Sequence, residues 1–303
     1  MLLVNIGVLT NPGSWYFQDL QRAAQQVSGS QPVSIQALDF AQLSTRLKSS
    51  GEIVSCESQS LHAFDAVLVR TMPLGSLEQM IFRMDALAQL HHAGTLVVNP
   101  PRSLEIAIDK YLTTSKLAAQ GFVVPETCVC QTWKAAMAAF ETLGGDVVVK
   151  PIFGGEGRGL LRVQTEELAE TTFKTLERIG SIIYLQKFIP HEGHDIRALV
   201  IGDKTWGVKR SNPSDWRTNV SRGGLAEPYS LGPEIEAIAR QALNCLGLQM
   251  AGVDLLPGTD GKLYLLEVNA VPGWKATAKA CETDVASEVL KYLSSLVNKR
   301  NSN

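Results

Sequence analysis

The chain has 303 residues, of which 45% are hydrophobic and 19% are charged, values typical of a globular protein with a sizeable core. Its formal net charge of −2 argues against a general affinity for nucleic acid or for an anionic membrane surface, so any anion site must be local. The five cysteines form no CxxC pair and no zinc spacing, which predicts reduced thiols. With no signal-like or membrane-spanning segment in view, the sequence predicts a cytoplasmic protein.

The first third of the chain alternates short apolar runs with amphipathic segments. Strands are predicted at 2–9, 33–38, 66–69 and 96–98, and helices at 15–27, 39–49 and 76–92. This alternation predicts a Rossmann-like α/β unit with a parallel sheet over residues 1–98. The first turn, TNPGSW, lacks GxGxxG, so dinucleotide binding is not expected there. Arg70 follows a strand at the end where ligands collect and is a candidate substrate contact.

Asn99-Pro100-Pro101 marks a boundary, and a helix is predicted from Asp109 to Gln120 with Gly121 ending it. From Asp146 onward, runs such as DVVVKP, IIYLQKF and KLYLLEVN, separated by tight turns, predict antiparallel sheet. Further helices are predicted near 166–178, 233–247 and 283–297, followed by a frayed tail, NKRNSN. We therefore expect a central unit over 99–185 and a C-terminal unit over 186–303, which makes the whole chain α/β (α+β).

A predicted hairpin brings two carboxylates together. Pairing that is symmetric about an Asp260-Gly261 turn places Asp254 directly opposite Glu267, with Asn269 on the same face. Like charges opposed at about 4.5–5.5 Å repel each other, and a cation with oxygen ligands, such as Mg²⁺ or Mn²⁺, reverses that repulsion. The alternative is an edge hairpin with its acids in solvent, or a bulge that breaks the register.

A lysine and a glycine-rich loop form the second candidate. Lys150 ends a buried strand and is followed by IFGGEGRG, which contains Gly155 and Gly157. Glycines let backbone amides approach phosphate oxygens, but a strand rather than a helix follows, so a P-loop is rejected. Taken alone, the loop can equally be a flexible turn, and Lys110, at a predicted helix start, can be a solvated surface lysine.

Cations cluster on a second predicted hairpin. With Gly202-Asp203 as the turn, Asp195 faces Arg210, and Arg197 shares the face of Asp195. The following loop, DWRTNVSRGG, adds further donors, including Arg217. Such arginine density suggests an anionic ligand, whereas an exposed, salt-bridged hairpin is the alternative. A nucleic-acid patch is disfavoured because no basic stripe accompanies the loop.

In this order, the motifs resemble those of the RimK-like branch of the ATP-grasp superfamily, the α-L-glutamate ligases. The match covers about residues 99–290 and consists of Asp109-Lys110, VVVKP with its glycine loop, YLQKFIP, GHDIRALV, DWRTNVSRGG, AGVDLL and LLEVNAVPGW. The resemblance implies an ATP-grasp fold over the central and C-terminal units, preceded by a Rossmann-like pre-ATP-grasp domain.

The resemblance also implies a role for each matching residue. For the nucleotide, the ATP phosphates would contact Lys110, Lys150, Gly155 and Gly157, and Asp195 would hold the ribose. The adenine would lie against Gln186, Lys187, Phe188 and Ile189, with backbone contacts from Lys187 and Ile189. For the reaction, Arg217 and Asn219 would approach the reacting phosphate, Arg210 and Arg222 would lie near a substrate carboxylate, and two metal ions would be held by Asp254, Glu267 and Asn269. Lys187 departs from the family, which often has an acid there, so the preference among nucleotides is open.

The implied activity is ATP-dependent amide-bond formation through an acyl-phosphate. L-glutamate would be added to a carboxylate acceptor, and the EVNAVPGW ending most resembles members that act on tetrahydromethanopterin-type cofactors, with a protein or peptide C-terminus as the other acceptor class. The resemblance implies no nucleic-acid or membrane partner, and it leaves room for a homo-oligomer. The alternatives are a D-alanine–D-alanine-type peptide ligase and a non-catalytic ATP-binding regulatory module.

Overall fold

The structure, a computed structural model, describes residues 3–27, 32–49, 51–154, 158–218 and 223–302. The strands are β1 Val4–Leu9, β2 Val33–Leu38, β3 Leu43–Lys48, β4 Gly51–Cys56, β5 Gln59–Ser60, β6 Ala66–Val69, β7 Leu96–Val98, β8 Thr127–Cys130, β9 Val147–Lys150, β10 Leu161–Val163, β11 Ile183–Lys187, β12 His194–Ile201, β13 Lys204–Ser211, β14 Leu225–Pro228, β15 Met250–Pro257 and β16 Leu263–Asn269. The α-helices are α1 Trp15–Val27, α2 Leu77–His92, α3 Pro101–Ile108, α4 Lys110–Ala119, α5 Trp133–Thr142, α6 Glu166–Arg178, α7 Pro233–Leu246, α8 Lys275–Ala280 and α9 Val285–Ser302.

The N-terminal unit is the predicted parallel sheet. Its strands follow the order β2-β1-β6-β7, and every neighbouring pair is parallel. All four residues of β6 are buried, as expected for a strand covered on both faces. Strands β2, β6 and β7 and helix α1 have the predicted bounds. The apolar and polar residues of β2 largely alternate, β6 and β7 are continuous apolar runs, and α1 is strongly amphipathic, so each pattern leaves little ambiguity.

The helix predicted over 39–49 is wrong. Asp39 does cap a turn, since its side chain accepts a hydrogen bond from the Ala41 N–H at 2.9 Å, but the turn is a single 3₁₀ helix, Phe40–Gln42. The chain then continues as β3, which pairs antiparallel with β4 in a small sheet that also includes β5. This pairing with a later segment overrides the local helical propensity, as tertiary context often does.

Two antiparallel sheets follow, as predicted. The first has the strand order β10-β9-β11-β8 and packs against α5 and α6 around its own core, which includes Phe140 and Phe173. The second has the order β14-β13-β12-β15-β16 and shares both of its apolar layers with the N-terminal unit. Helices α3 and α4 contact α7 and β16 of the second sheet. The domain bounds 1–98, 99–185 and 186–303 stay a prediction.

The helix ends test the capping predictions. Helix α4 begins after Asp109, whose side chain accepts from the Leu112 N–H at 3.0 Å, and Gly121 follows the helix with a φ of 82°. The frayed tail is a wrong prediction, because α9 continues to Ser302.

All five cysteines lie among the described residues and none forms a disulfide. Within the described ranges, no helix is long and apolar enough to cross a bilayer.

Candidate active site

A cleft of about 870 Å³, counted with its open mouth, lies between the two antiparallel sheets, a size that suits a nucleotide-sized ligand. It gathers most of the predicted site residues, namely Lys110, Lys150, Gln186, Lys187, Phe188, Ile189, Asp195, Arg210, Arg217, Asp254 and Glu267. Asn269 lies at the end of β16, in register with Gly252. Gly155, Gly157, Asn219 and Arg222 lie outside the described residues.

The β15–β16 hairpin opposes Asp254 and Glu267, as predicted, but not through the predicted turn. Gly258 N–H donates to the Lys262 carbonyl at 2.8 Å, so the loop is longer than two residues and shifts the register of the first pairs by one. An irregularity next to Asp254 then restores the register, with Leu266 as the extra residue. Strict alternation along β16 would put Leu266 on the face opposite Glu267, but both residues line the cleft, as a bulge allows.

Asp254 is neutralised by arginines in this structure. Arg197 Nε and Nη2 donate to its two carboxylate oxygens at 2.6 and 2.7 Å, and Arg210 Nη2 lies 3.0 Å from Oδ2. Burial favours the neutral acid, but the two arginines outweigh it and keep the pKa of Asp254 below its ordinary value. The expected repulsion between Asp254 and Glu267 is therefore a wrong premise, since Asp254 already has counter-charges.

The β12–β13 hairpin has the predicted register, with Asp195 opposite Arg210. Arg210 donates to both carboxylate oxygens of Asp195, at 2.6 Å from Nε, and the Thr218 hydroxyl donates to Asp195 Oδ2 at 2.6 Å. Both partners are only 4% exposed, so the alternative of an exposed salt-bridged hairpin is wrong. Burial lowers the pKa of Arg210, but Asp254 and Asp195 more than compensate and raise it above its ordinary value.

Asp195, Arg210, Asp254 and Arg197 thus form a chain of alternating charge across three adjacent strands. Their formal charges cancel, which is the condition under which ionised side chains can be buried. Arg197 is a site residue that the sequence placed on the right face but did not connect to Asp254. The signal was available, because Arg197 alternates with Asp195 along the strand.

Lys150 projects from the end of β9 into the cleft. Its ammonium donates to Gln186 Oε1 at 2.5 Å, and Gln186 in turn donates to the Thr127 hydroxyl at 3.1 Å. Burial lowers the pKa of Lys150 to about 8; Glu267 and Asp254 oppose this shift, and Lys110 adds to it. Lys110 is a cleft residue rather than a solvated surface lysine, since it donates to the Gly154 carbonyl and lies 3.8 Å from Glu267.

The backbone at the end of β11 lies along the cleft, and two of its N–H groups already have acceptors within the protein. The Lys187 N–H donates to the Glu126 carbonyl at 2.8 Å and the Phe188 N–H to the Asp146 carbonyl at 3.0 Å. The Ile189 N–H has no backbone acceptor among the described residues. Phe188 is covered by the Arg162 guanidinium, 3.4 Å from its centroid, and by the edge of Trp216. Ile189, whose N–H lacks a backbone acceptor in the described ranges, thus lines the cleft together with the ring of Phe188.

Arg217 is held at the mouth of the cleft. Its Nε and Nη2 donate to Asp215, at 3.0 and 2.6 Å from Oδ2, and Nη1 donates to the Leu160 carbonyl at 3.4 Å. Since Leu160 follows the glycine-rich segment, Arg217 links the β13–β14 connection to that segment. Arg217 and Lys150 both line the cleft.

The donor set at the β15–β16 hairpin suits a hard divalent cation. Asp254 and Glu267 supply carboxylate oxygens, and the buried Asn269 Nδ2 has no hydrogen-bond partner among the described residues. The Asn269 Oδ1 would be the third oxygen ligand. A cation would share Asp254 with Arg197. Among the described residues, no group of three or more His, Cys, Asp or Glu side chains forms a metal site; the predicted set has an amide as its third member.

Comparison with known proteins gives one family match and relatives that are named as glutamate ligases. Residues 107–293 match the RimK-like ATP-grasp domain. The tetrahydromethanopterin:alpha-L-glutamate ligase of Methanosarcina acetivorans is 32% identical, over 96% of this chain and 99% of the relative. The ribosomal protein bS6--L-glutamate ligase of Escherichia coli is 28% identical, over 96% of this chain and 95% of the relative.

Among solved structures, the ATP-grasp ligase PsnB complexed with a minimal precursor has a TM-score of 0.75 at 20% identity and covers 96% of this chain and 99% of PsnB. PsnB has also been solved with its precursor, Mg and ADP, at a TM-score of 0.71 and 19% identity, covering 97% of this chain and 98% of PsnB. At these identities the likeness establishes the fold alone. The predicted ATP-grasp fold is confirmed.

Proposed function

The chain belongs to the RimK-like ATP-grasp family, and from this premise we propose that it is an ATP-dependent ligase that joins a carboxylate to the amine of L-glutamate. The observation that carries the proposal is the meeting, in one cleft, of two lysines with the Asp254–Glu267 hairpin. Cations for phosphate and oxygen ligands for a divalent ion are the two requirements of phosphoryl transfer.

We assign the nucleotide to the cleft between the sheets. The Ile189 N–H and the Lys187 carbonyl would contact the adenine beside Phe188, with Gln186 behind them. Lys110 and Lys150, with Gly155 and Gly157 of the glycine-rich segment, would bind the phosphates. Asp195 is a poorer ribose ligand than its position suggests, because Arg210 and Thr218 already use its oxygens; its role is to hold Arg210.

Asp254, Glu267 and Asn269 would hold the metal, for which we propose two ions, Mg²⁺ or Mn²⁺. When bound, the metal neutralises charge on the transferring phosphoryl group. Arg197 orients Asp254 through its bidentate contact. Arg217, with Asn219, would approach the reacting phosphate, and Arg222 would lie near a substrate carboxylate.

The reaction needs no enzyme nucleophile. A carboxylate oxygen of the acceptor attacks the γ-phosphorus, the bond to ADP breaks, and an acyl-phosphate forms. The amine of L-glutamate then attacks the acyl carbon, phosphate leaves, and the nitrogen loses a proton to give the amide. Lys110, Lys150 and Arg217 stabilise the negative charge that develops on the phosphoryl oxygens.

We propose a tetrahydromethanopterin-type cofactor as the first acceptor to test and a protein C-terminus as the second. One relative is named for the first acceptor and another for ribosomal protein bS6, and each aligns with nearly the whole chain. The test is ADP release with L-glutamate, ATP and Mg²⁺ in the presence of tetrahydromethanopterin or of ribosomal protein bS6, with mass spectrometry of the product. A mass gain of one or more glutamyl units supports the proposal. ADP release that responds to D-alanine but not to L-glutamate would favour a D-alanine–D-alanine-type ligase, and nucleotide binding without turnover a regulatory module.

The lowered pKa of Lys150 gives a prediction for nucleotide binding. Phosphate favours the ammonium form, so binding is strongest where Lys150 is already protonated, below a pH of about 8. Above that pH, Lys150 must take up a proton when the nucleotide binds. The affinity for the nucleotide should therefore fall by up to about tenfold per pH unit. Titration of a non-hydrolysable ATP analogue across this range measures the slope.

Lys150→Arg is the matched control, because a guanidinium stays protonated throughout the range. Its affinity for the analogue should be nearly independent of pH between about 7 and about 9. Lys150→Ala should bind the nucleotide less tightly by about 1.5–3 kcal/mol at neutral pH, the value of a charge-assisted hydrogen bond. An equal slope in wild type and Lys150→Arg would assign the titration to another group.

A further inference from the structure

Arg70, which directly follows β6, is a buried cation, and two of its three guanidinium nitrogens have no hydrogen-bond partner among the described residues. It is 7% exposed, and its Nε and Nη1 are buried and unpartnered. The guanidinium carbon lies 5.0 Å from the centroid of the Tyr16 ring and 4.2 Å from that of Trp274. Burial lowers the pKa of Arg70 to about 10. A buried charge packed against aromatic rings destabilises the fold unless a ligand supplies a counter-charge and hydrogen-bond acceptors.

The start of α1 supplies a second observation. The Arg70 and Thr71 N–H groups both donate to the Leu9 carbonyl at 3.0 Å, which places Arg70 beside the connection from β1 to α1. The backbone N–H groups of Trp15 and Tyr16 have no backbone acceptor among the described residues. The first turn of α1 also has no acidic side chain. A helix start of this kind attracts an anion, and the ring of Tyr16 in this first turn contacts the Arg70 guanidinium.

This region is joined to the candidate active site through the chain segment after Asn269. Trp274, which covers Arg70, lies five residues beyond Asn269. Gly273 packs against Tyr16 so closely that a Cβ there would lie 2.5 Å from the Tyr16 hydroxyl. Gly252, in register with Asn269, packs against Pro272 and the Arg197 side chain. Close approaches at Gly273 and Gly252 thus connect Tyr16, which contacts Arg70, with the Arg197 side chain that holds Asp254.

We propose that Arg70 and the N-terminus of α1 bind a carboxylate of one of the two substrates. The inference rests on the proposed ligase function and deepens it. Carboxylate is the class of ligand that a guanidinium fork with aromatic rings on its faces recognises, through paired hydrogen bonds in the plane of the fork. The carboxylate can come from L-glutamate or from the acceptor, and the test separates these sources.

The test measures binding and stability together in Arg70→Met, which keeps an unbranched side chain of related length and removes the charge. Calorimetric titrations use L-glutamate as the amino-acid probe and glutarate, which has no amine, as the acceptor-side probe, each added to protein that holds an ATP analogue and Mg²⁺. We expect a loss of about 10- to 100-fold in affinity for one probe, as for one charge-assisted contact. The midpoint of thermal unfolding should stay equal or rise, because an unsatisfied buried charge is removed.

Arg83→Met is the control. Arg83 is as buried, at 6% exposed, and lies over Phe40 at 5.7 Å, but its Nη1 donates to the Pro73 carbonyl at 2.7 Å. It should lose stability and keep the affinity for both probes. Arg70→Lys should recover part of the binding, because an ammonium restores the charge but not the fork.

Loss of affinity for L-glutamate alone assigns the site to the amino acid, and loss for glutarate assigns it to the acceptor. The proposal is overturned if Arg70→Met binds both probes as wild type does, if it unfolds at a lower temperature with binding unchanged, or if wild type binds neither probe at millimolar concentration. The ligase proposal fails separately, when wild type forms no glutamyl product with any acceptor.

Discussion

Glu267→Gln is expected to lower ligase turnover by about 100- to 1000-fold, the effect of losing several kcal/mol of charge stabilisation, while the free energy of unfolding changes by less than about 0.5 kcal/mol. The stability expectation follows from the surroundings of Glu267: its side chain is 27% exposed and its nearest cation, Lys110, is 3.8 Å away. The substitution keeps the shape of the side chain and removes a charge from the proposed metal site. ADP release and urea unfolding measure the two effects, and near-normal turnover would remove Glu267 from the metal site.

Asp254→Asn provides the contrast within the same hairpin. It should lower turnover as well, but it removes a counter-charge of both Arg197 and Arg210 from a position that is 5% exposed. Removing one partner from a buried charge network costs up to about 3–5 kcal/mol, so this variant should unfold at a clearly lower urea concentration than Glu267→Gln. Equal stability of the two variants would contradict the arginine contacts described for Asp254.

Arg210→Ala is expected to lower the free energy of unfolding by about 3–5 kcal/mol, because Asp195 and Asp254 would both lose a buried partner. Turnover should fall as well, since Asp254 and Asp195 flank the cleft. The large stability loss follows from burial: the pairing of Asp195 with Arg210 alone, in an exposed hairpin, would predict a loss of only about 0.2–1 kcal/mol.

Arg162→Ala is the matched control for that prediction. Its fork binds Asp146 at 2.8 and 2.6 Å, the same geometry, but the two side chains are 27% and 35% exposed. The expected loss of the ion pair there is about 0.2–1 kcal/mol, and loss of the contact of Arg162 with Phe188 adds about 0.5–1 kcal/mol. Arg210→Lys should recover part of the stability and of the activity, since one ammonium cannot form the fork to Asp195 and reach Asp254 together. A similar urea midpoint for Arg162→Ala and Arg210→Ala would mean that burial does not set the strength of the Arg210 network.

The register of the two active-site hairpins was predictable because side chains alternate strictly along a strand. For β12–β13, the Gly202-Asp203 turn alone was sufficient to pair Asp195 with Arg210. For β15–β16, the pairing of Asp254 with Glu267 was right although the turn was wrong, since a longer loop and a bulge compensate each other. The bulge has a visible trace in the sequence, the consecutive Leu265 and Leu266, which interrupt the alternation before Glu267.

Tertiary structure alone decided which charges are buried. A strand that reads Asp-Ile-Arg is ambiguous between an exposed and an enclosed face, and only the neighbouring β15, with Asp254 beside Arg197, supplies the counter-charge that makes burial of the network stable. The same holds for β3, whose partner β4 outweighs a local helical pattern. It also holds for Arg70, since Tyr16 and Trp274 reach it from opposite ends of the chain. Local sequence thus determined most of the elements and the motif order. Contacts between distant segments determined burial and the exception at β3, and burial sets which side chains are available to a ligand.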